Sequence, residues 1–410
     1  MIFVMKTKLI SSITAIHLLW TAVSAAPTLS QPEVKVGRTT FSFTQPWRVE
    51  QFGPASGPRK IGGYIWYPAR PSHNSQVSPF IVEPQASQLA IAASIPLELL
   101  QALPARSYFN APIATSNRPY PILLMSHGDT GSPLESTSTA EALVEAGYVV
   151  VGINMTYNAT AGFVEDELVI GDPDASVQAV QPLIDENSTF QDRLTNWDKV
   201  TYLNGYFARD ISATIDELVR VNRRPGPFRG KLDLSRIGAF GHSFGGSQSY
   251  RALINDSRID AAVNVDGTIL DNAYKRGTRK PFMTFLSYRP NQSQVNEIRA
   301  LLAQLGYTEA QINWIIEHSS TDNIAFQKSR RSIQVSIPRA GHNNFTDRGL
   351  WQEFGVPSEA LSTELSPTWI LNVYQTYLKA FFDQNVRGRN QPILHRSSGN
   401  NDIQVSWSCP

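Results

Sequence analysis

The stretch Gly241-His242-Ser243-Phe244-Gly245-Gly246 decides the fold of this chain. It follows a short apolar run of strand type, Arg236–Phe240, and it precedes residues 247–254, whose pattern predicts a helix. A Gly-x-Ser-x-Gly sequence at a strand-to-helix junction forms a turn so tight that the residues two before and two after the serine must lack a side chain. The turn lifts the hydroxyl out of the sheet. We therefore predict that Ser243 is a nucleophile.

The composition is that of an ordinary globular protein. Its 410 residues are 41% hydrophobic and 17% charged, with 36 basic against 35 acidic side chains. This nearly balanced charge predicts that nucleic acid is not a partner. The sequence contains no phosphate loop, dinucleotide fingerprint or metal-ligand cluster, so we expect neither a cofactor nor a metal. The oligomeric state stays open at this point.

The chain divides into three parts. Residues 1–25 combine the basic residues Lys6 and Lys8, an apolar stretch and a small-residue cleavage site. This pattern predicts a signal peptide and a secreted or extracytoplasmic protein, with an uncleaved membrane anchor as the alternative. Residues 26–388 predict a single α/β domain with insertions, and the polar residues 389–410 predict a loosely ordered tail. The single cysteine, Cys409, excludes an intramolecular disulfide.

Apolar runs typical of strands alternate along the chain with helical patterns. Strands are predicted at 61–67, 121–125, 148–153, 236–240, 261–265, 281–286 and 332–337, the last being the final strand. Helices are predicted at 86–104, at about 132–146 and at about 190–222, while residues 155–190 are loop-rich. The alternation predicts βαβ units, and with the serine turn it predicts an α/β-hydrolase fold: a mainly parallel sheet covered by helices on both faces.

A serine nucleophile needs a base, and in this fold the base comes late in the chain. Only His318, His342 and His395 follow the serine. His395 lies in the tail, and His318 lies in a polar stretch that follows a helix. His342 comes directly after the final predicted strand, in a loop of small residues that lets an imidazole reach back over the sheet. We predict that His342 is the base.

The acid has an unusual predicted place. The strand ending at Leu286 is followed by Ser-Tyr-Arg-Pro-Asn, which contains no carboxylate. The preceding strand ends in Val265-Asp266-Gly267, which puts a carboxylate at the carboxyl end of the sheet, where such sites gather. We predict that Asp266 orients the base, with Asp271 or Asp322 as the alternative, and an ordinary turn residue as the simplest reading of Asp266.

Two backbone N–H groups are predicted to stabilise the oxyanion. The first belongs to Phe244, the residue after the nucleophile. The second belongs to the loop Ser126-His127-Gly128-Asp129, most plausibly through the amide of Asp129. The alternative for this loop is an ordinary turn at the end of a strand.

Taken together, these residues resemble a known family. A Ser-His-Gly after a strand, the Gly-His-Ser-Phe-Gly-Gly turn, an Asp at the end of the next strand and the run Gly-His-Asn-Asn-Phe-Thr-Asp are similar to platelet-activating-factor acetylhydrolases of the plasma and type II group. The resemblance spans about 121–351. It implies a calcium-independent esterase that cleaves short or oxidised sn-2 acyl chains from glycerophospholipids, with Ser243, Asp266 and His342 as its triad and Phe244 and Asp129 as oxyanion donors.

One residue departs from the family pattern. The family tends to have an apolar residue where this chain has Asp129, and an anion beside the developing oxyanion would oppose catalysis. We expect this carboxylate to turn away, toward the N-terminus of the following helix.

The family also presents apolar helices to lipid. The candidates here are Leu97, Leu99, Leu100 and Leu103, although apolar residues at helical spacing are more often core.

Other functions of the same fold stay open. A dienelactone hydrolase, a polyester hydrolase or an acylaminopeptidase would share these catalytic residues, because substrate choice resides in the insertions at 68–116, 155–200 and 289–330. From a different class, a catalytically dead hydrolase fold could serve in binding or adhesion. Intact serine, acid and base residues favour an enzyme.

Overall fold

The computed structural model describes residues 35–54, 56–92, 94–165, 167–177, 189–356, 361 and 364–408. The predicted signal peptide (residues 1–25) and Cys409 lie outside the described residues. No helix in the ranges described is both long enough and apolar enough to cross a bilayer.

Twelve strands occur in the described part of the chain. They are β1 (Lys35–Val49), β2 (Pro58–Ala69), β3 (Ser107–Phe109), β4 (Tyr120–Ser126), β5 (Val149–Asn154), β6 (Ala161–Val164), β7 (Glu167–Ile170), β8 (Leu232–His242), β9 (Ala261–Val265), β10 (Phe282–Leu286), β11 (Ser332–Ser336) and β12 (Gln404–Trp407). All but β6 and β7 form one sheet in the order β12-β11-β10-β9-β8-β4-β5-β2-β1-β3.

The centre of this sheet is parallel. Strands β5, β4, β8, β9, β10 and β11 all run in one direction, so their carboxyl ends share one edge. Strands β2 and β12 run antiparallel to the two outer members of this set. The predicted α/β fold with a mainly parallel sheet is confirmed.

Helices cover both faces of the sheet. They are α1 (Gln85–Ala92), α2 (Leu97–Gln101), α3 (Thr137–Glu145), α4 (Phe190–Arg223), α5 (Phe244–Asn255), α6 (Gln292–Gln304), α7 (Glu309–Ser319), α8 (Thr321–Lys328), α9 (Arg348–Glu353) and α10 (Pro367–Asn385).

Strand side chains alternate between two apolar cores because successive residues of a strand point to opposite faces. On β4, Leu123 and Met125 pack in the core that includes α3 and α10. Their neighbours Ile122 and Leu124 pack in the core that includes α4 and α5. The sheet is therefore buried on both faces, which explains why its central strands are almost continuously apolar.

Two elements of the sheet region differ from the expectation. Residues 389–410 were expected to be loosely ordered, yet Gln404–Trp407 form β12 against β11. The loop-rich segment 155–190 contains the hairpin of β6 and β7. All three strands are only four residues long, and β12 is held at the sheet edge by backbone hydrogen bonds that do not require apolar side chains.

The leucine-rich segment 86–104 forms two helices, α1 and α2. Leu100 and Leu103 are buried in the main core, and Leu97 and Leu99 pack against it while partly exposed. Leu100 and Leu103 are therefore core residues, while Leu97 and Leu99 lie at the margin of the core.

Candidate active site

The turn around Ser243 has the geometry that the sequence predicts. Ser243 has φ 54° and ψ −120°, between the end of β8 and the first residue of α5. A Cβ on Gly241 would overlap the backbone of Gly245, and a Cβ on Gly245 would overlap the carbonyl oxygen of Ser126. Glycine is required at both positions because the chain passes so close to itself. A positive φ at a residue other than glycine is a strained conformation typical of functional sites.

Two backbone hydrogen bonds fix the predicted nucleophile and the predicted acid to the neighbouring strands. The N–H of Ser243 donates to the carbonyl oxygen of Val265 at 2.7 Å, and the N–H of Asp266 donates to that of Phe285 at 2.7 Å. Asp266 also has a positive φ, 55°. These bonds continue the sheet one residue past its strands, so the nucleophile and the carboxylate are held at neighbouring strand ends.

The predicted base and acid are in contact. Nδ1 of His342 lies 2.7 Å from Oδ2 of Asp266, whose side chain is only 2% exposed. The carboxylate accepts this bond, so the proton resides on Nδ1 and Nε2 is the nitrogen that can take a proton from a hydroxyl. This is the orientation that a base needs beside a serine.

Three further donors surround the Asp266 carboxylate. It accepts hydrogen bonds from the N–H of Ser287 at 2.8 Å, from its hydroxyl at 2.7 Å, and from Arg289 at 3.1 Å. Burial raises the pKa of Asp266, but the bond from His342 and the positive charge of Arg289 outweigh it and hold the pKa below its usual range. The carboxylate is therefore ionised at neutral pH.

His242, within the Gly-x-Ser-x-Gly motif, contacts the base and was not singled out by the sequence. Its Nε2–H donates to the carbonyl oxygen of His342 at 2.9 Å, and the two rings lie 4.4 Å apart. Burial, together with the nearby His342, lowers the pKa of His242 to about 3, so this ring is neutral. It fixes the loop that carries the base without adding charge.

The first predicted oxyanion donor lies at the start of α5. The N–H of Phe244 belongs to the first turn of this helix, where N–H groups have no intrahelical acceptor and the helix dipole favours negative charge. The second predicted donor belongs to a loop that touches the nucleophile, since a Cβ on Gly128 would lie 3.4 Å from Cβ of Ser243.

The peptide between Gly128 and Asp129 is held in a fixed orientation. The carbonyl oxygen of Gly128 accepts bonds from Nδ1 of His127 at 2.7 Å and from the N–H of Gly131 at 3.0 Å. In a trans peptide the N–H points opposite to the carbonyl, so these bonds also fix the N–H of Asp129. Burial lowers the pKa of His127 to about 4, and its Nε2 accepts the N–H of Met155 at 3.0 Å.

The Asp129 side chain turns away from this peptide, but not toward the following helix as expected. Its carboxylate accepts bonds from the amide of Asn158 at 2.6 Å, the hydroxyl of Ser176 at 2.6 Å and the N–H of Val177 at 3.1 Å. The predicted partner, the N-terminus of the following helix, is wrong. The three donors lie instead in the long connection after β5. They hold the carboxylate in place by hydrogen bonds.

The alternative bases lie elsewhere. His318 is buried and stacks on Trp314 with ring centroids 3.9 Å apart, while its Nδ1–H donates to the Trp314 carbonyl at 2.7 Å. His395 contacts Gln384 at 2.7 Å. Neither residue is in contact with the predicted acid, and the structure therefore brings only His342, of the three candidates, to it.

The alternative acids have other partners. Asp271 forms an ion pair with Arg251 at 3.0 Å. Asp322 is buried and pairs with Arg289 at 3.1 Å, so it lies on the far side of this arginine from Asp266.

An apolar cluster adjoins the oxyanion residue. The ring of Phe244 lies 6.1 Å from that of Phe207, which stacks on Phe52 at 5.9 Å. Met155 and Leu203 belong to the same cluster. All of these side chains except Phe52 are buried, so the cluster fixes the start of α5, where Phe244 lies, against α4.

Two known proteins that are similar to this chain are named as esterases. No protein-family model matches the chain. A curated relative, a "probable 1-alkyl-2-acetylglycerophosphocholine esterase" from Arthroderma benhamiae, is 22% identical over 296 residues, which are 69% of this chain and 65% of that protein. The chain thus matches less than two thirds of the relative's length. The resemblance to acetylhydrolases predicted from the motifs is confirmed at this distance.

A solved structure is similar to nearly the whole chain. The ferulic acid esterase from Streptomyces cinnamoneus superimposes with a TM-score of 0.65 and 24% identity, over 93% of this chain and 98% of that one. At this identity the similarity establishes the fold, in agreement with the sheet order described above.

Proposed function

We propose that this protein is a serine ester hydrolase that works through an acyl-enzyme, with Ser243, His342 and Asp266 as its triad. The observation that carries the proposal is the 2.7 Å contact between His342 and Asp266 beside the strained serine turn. The name of the curated relative and that of the solved structure, both esterases, support the same class.

In the first half of the proposed reaction, Oγ of Ser243 attacks the carbonyl carbon of the ester while Nε2 of His342 takes the hydroxyl proton. Asp266 stabilises the imidazolium. The tetrahedral oxyanion faces the N–H groups of Phe244 and Asp129, which stabilise the negative charge as it develops. Collapse breaks the ester C–O bond, and the imidazolium gives its proton to the departing alcohol.

In the second half, water attacks the acyl-enzyme. His342 takes a proton from the water, a second tetrahedral intermediate forms, and its collapse releases the acid and returns the proton to Ser243.

As substrate we propose the short or oxidised sn-2 acyl ester of a glycerophospholipid. The motif resemblance and the relative's name support this class. We also propose that the protein is exported, on the basis of the basic and apolar pattern of residues 1–25; N-terminal sequencing of the mature protein tests this.

The catalytic proposal is tested with Ser243→Ala, using Ser293→Ala on the exposed surface of α6 as the matched control. We expect the first variant to lose about three to six orders of magnitude in kcat on p-nitrophenyl acetate, to lose labelling by a fluorophosphonate, and to keep its thermal melt. The control should retain both activities. Turnover at the parental rate in Ser243→Ala would refute the mechanism.

The substrate proposal is tested separately by a hydrolysis profile. We expect acetylated phospholipid to be cleaved with a higher kcat/KM than long-chain phospholipid, triglyceride, lactone or feruloyl ester. A preference confined to lactones, polymeric esters or feruloyl esters would overturn the phospholipid assignment and leave the mechanism intact. Absence of both labelling and turnover in the native protein would favour a binding protein with a hydrolase fold.

A further inference from the structure

The end of β10 supplies hydrogen-bond donors to the acid from the next strand. Ser287 and Arg289 come directly after this strand, and both donate to the Asp266 carboxylate. The segment after β10, which contains no acid of its own, therefore supplies hydrogen-bond donors to the site. It surrounds the carboxylate that the preceding strand provides.

Arg289 lies between two buried carboxylates. Its NH1 is 3.1 Å from Oδ1 of Asp266, and its Nε and NH2 are 3.2 and 3.1 Å from Oδ2 of Asp322. Both carboxylate side chains are 2% exposed, while that of Arg289 is 35% exposed. One edge of the planar guanidinium thus donates to Asp266 and another donates to Asp322, a geometry that a lysine cannot reproduce.

This arrangement places a cation on the oxygen of Asp266 that does not face the base. A guanidinium sharing the carboxylate reduces the stabilisation that Asp266 offers to a protonated imidazole. Arg289 and His342 bind the two oxygens of one carboxylate, at 3.1 and 2.7 Å, so the cation is close enough to the base for a direct electrostatic effect.

We propose that Arg289 is a positioning residue that fixes the Asp266 carboxylate through its bond to Oδ1, and that its charge extends the active range of the base toward acidic pH, with Asp322 as the anchor that holds it there. The proposal rests on the catalytic roles of Asp266 and His342 proposed above.

Other charged and titratable groups near the base have partners of their own or are neutral. His242 contacts it from β8 and is neutral. Arg348, on α9, forms an ion pair with Glu135 at 3.0 Å. Asp322, on α8, is paired with Arg289, and burial raises the pKa of Asp322. Among the residues that the structure describes, Arg289 is thus the cation placed directly on the acid.

The test is the pH dependence of kcat/KM for Arg289→Gln and Arg289→Lys. Removal of the charge should move the acidic limb of the profile to higher pH by about 0.5 to 1 unit, so that activity at pH 5 relative to the plateau falls about three- to tenfold. Lysine keeps the charge but not the fork, so its acidic limb should stay closer to that of the parent while kcat falls. Arg299→Gln, on α6 in the same inserted region, is the matched control and should not move the limb, since Arg299 is paired with Glu309 away from the site.

Two further measurements distinguish unfolding of the variant from failure of the proposal. Arg289→Gln leaves Asp322 buried without its partner and could unfold, so Arg289→Gln/Asp322→Asn removes both charges. Because the arginine is closer to the base than Asp322 is, the double variant should still shift the limb upward, by a smaller amount. An unchanged limb in a folded variant that reacts with fluorophosphonate would overturn the inference. Absence of esterase activity in the parent protein would instead reject the proposed function.

Discussion

We expect a buried carboxylate in the segment after His342 to make the stability of this protein depend on pH. Asp347 is fully buried and accepts the N–H of Ser138 at 2.9 Å and also its hydroxyl. Its own N–H donates to the carbonyl oxygen of Glu135 at 2.6 Å. It therefore links the segment after His342 to the start of α3. Burial, with Glu135 and Glu141 nearby, raises the pKa of Asp347 to about 7.

We predict that Asp347→Asn removes this pH dependence. The unfolded carboxyl loses its proton near pH 4, but the folded one keeps it to about pH 7. Between these values unfolding releases a proton, so the stability contributed by this group is complete below about pH 4 and is lost as the pH rises through 7. Three units correspond to about 4 kcal/mol.

Asparagine can accept the Ser138 N–H and donate to its hydroxyl, as the protonated acid does. Relative to the parent, the variant should therefore gain about 2 to 4 kcal/mol in free energy of unfolding between pH 4.5 and pH 8. Urea unfolding followed by tryptophan fluorescence at pH 4.5, 6 and 8 measures this. Asp198→Asn, exposed on α4, is the control. If the difference between parent and variant is the same at all three pH values, Asp347 is not protonated in the folded protein and the reasoning is wrong.

Three further substitutions have defined outcomes. Asp266→Asn should lower kcat about 10⁴-fold with an unchanged melt, because the amide no longer holds the imidazole in the required tautomer; a loss below tenfold would assign the acid elsewhere. Gly267→Ala should destabilise the protein by about 1 to 3 kcal/mol and slow fluorophosphonate labelling, because its Cβ would overlap the carbonyl oxygen of Ser243; parental values of both would contradict this. Arg59→Ala should cost about 3 to 5 kcal/mol in urea unfolding, because it removes the ion-pair partner of buried Glu50 and leaves buried Asp210 with Arg48 alone; replacement of Arg299, on α6, by Ala provides the comparison.

Much of the fold could be predicted because its central strands are buried on both faces. Apolar runs at 261–265 and 281–286 correspond to β9 and β10, and the helix predicted at 190–222 corresponds to α4 at Phe190–Arg223. The start of α4 is also encoded locally, since Thr189 and Asp192 form a capping box. By contrast, β12 is held by backbone bonds to β11, and its exposed side chains leave no apolar pattern to recognise.

Residues of the candidate site could be predicted where their place follows from the order of strands along the chain. The predicted places of Asp266 and His342 rest on strand ends, and the structure puts these two residues in contact. The partners of Asp129 and the contact of Arg289 with the acid depend on how long connections fold back over the sheet. Such contacts between distant segments have no periodic or local signal in the sequence.

The backbone bonds from Ser243 to Val265 and from Asp266 to Phe285 have a consequence for how this protein tolerates change in length. Ser243 and Asp266 each come directly after a strand, so the number of residues in that strand sets the direction in which the side chain points. Deletion of one residue within β9 would turn Asp266 to the opposite face of the sheet, away from His342. Insertions in the connections after β5 or β10 change no such count. We therefore expect length variation to be tolerated in these connections, in the second of them only beyond Arg289, and to be disruptive within the strands themselves.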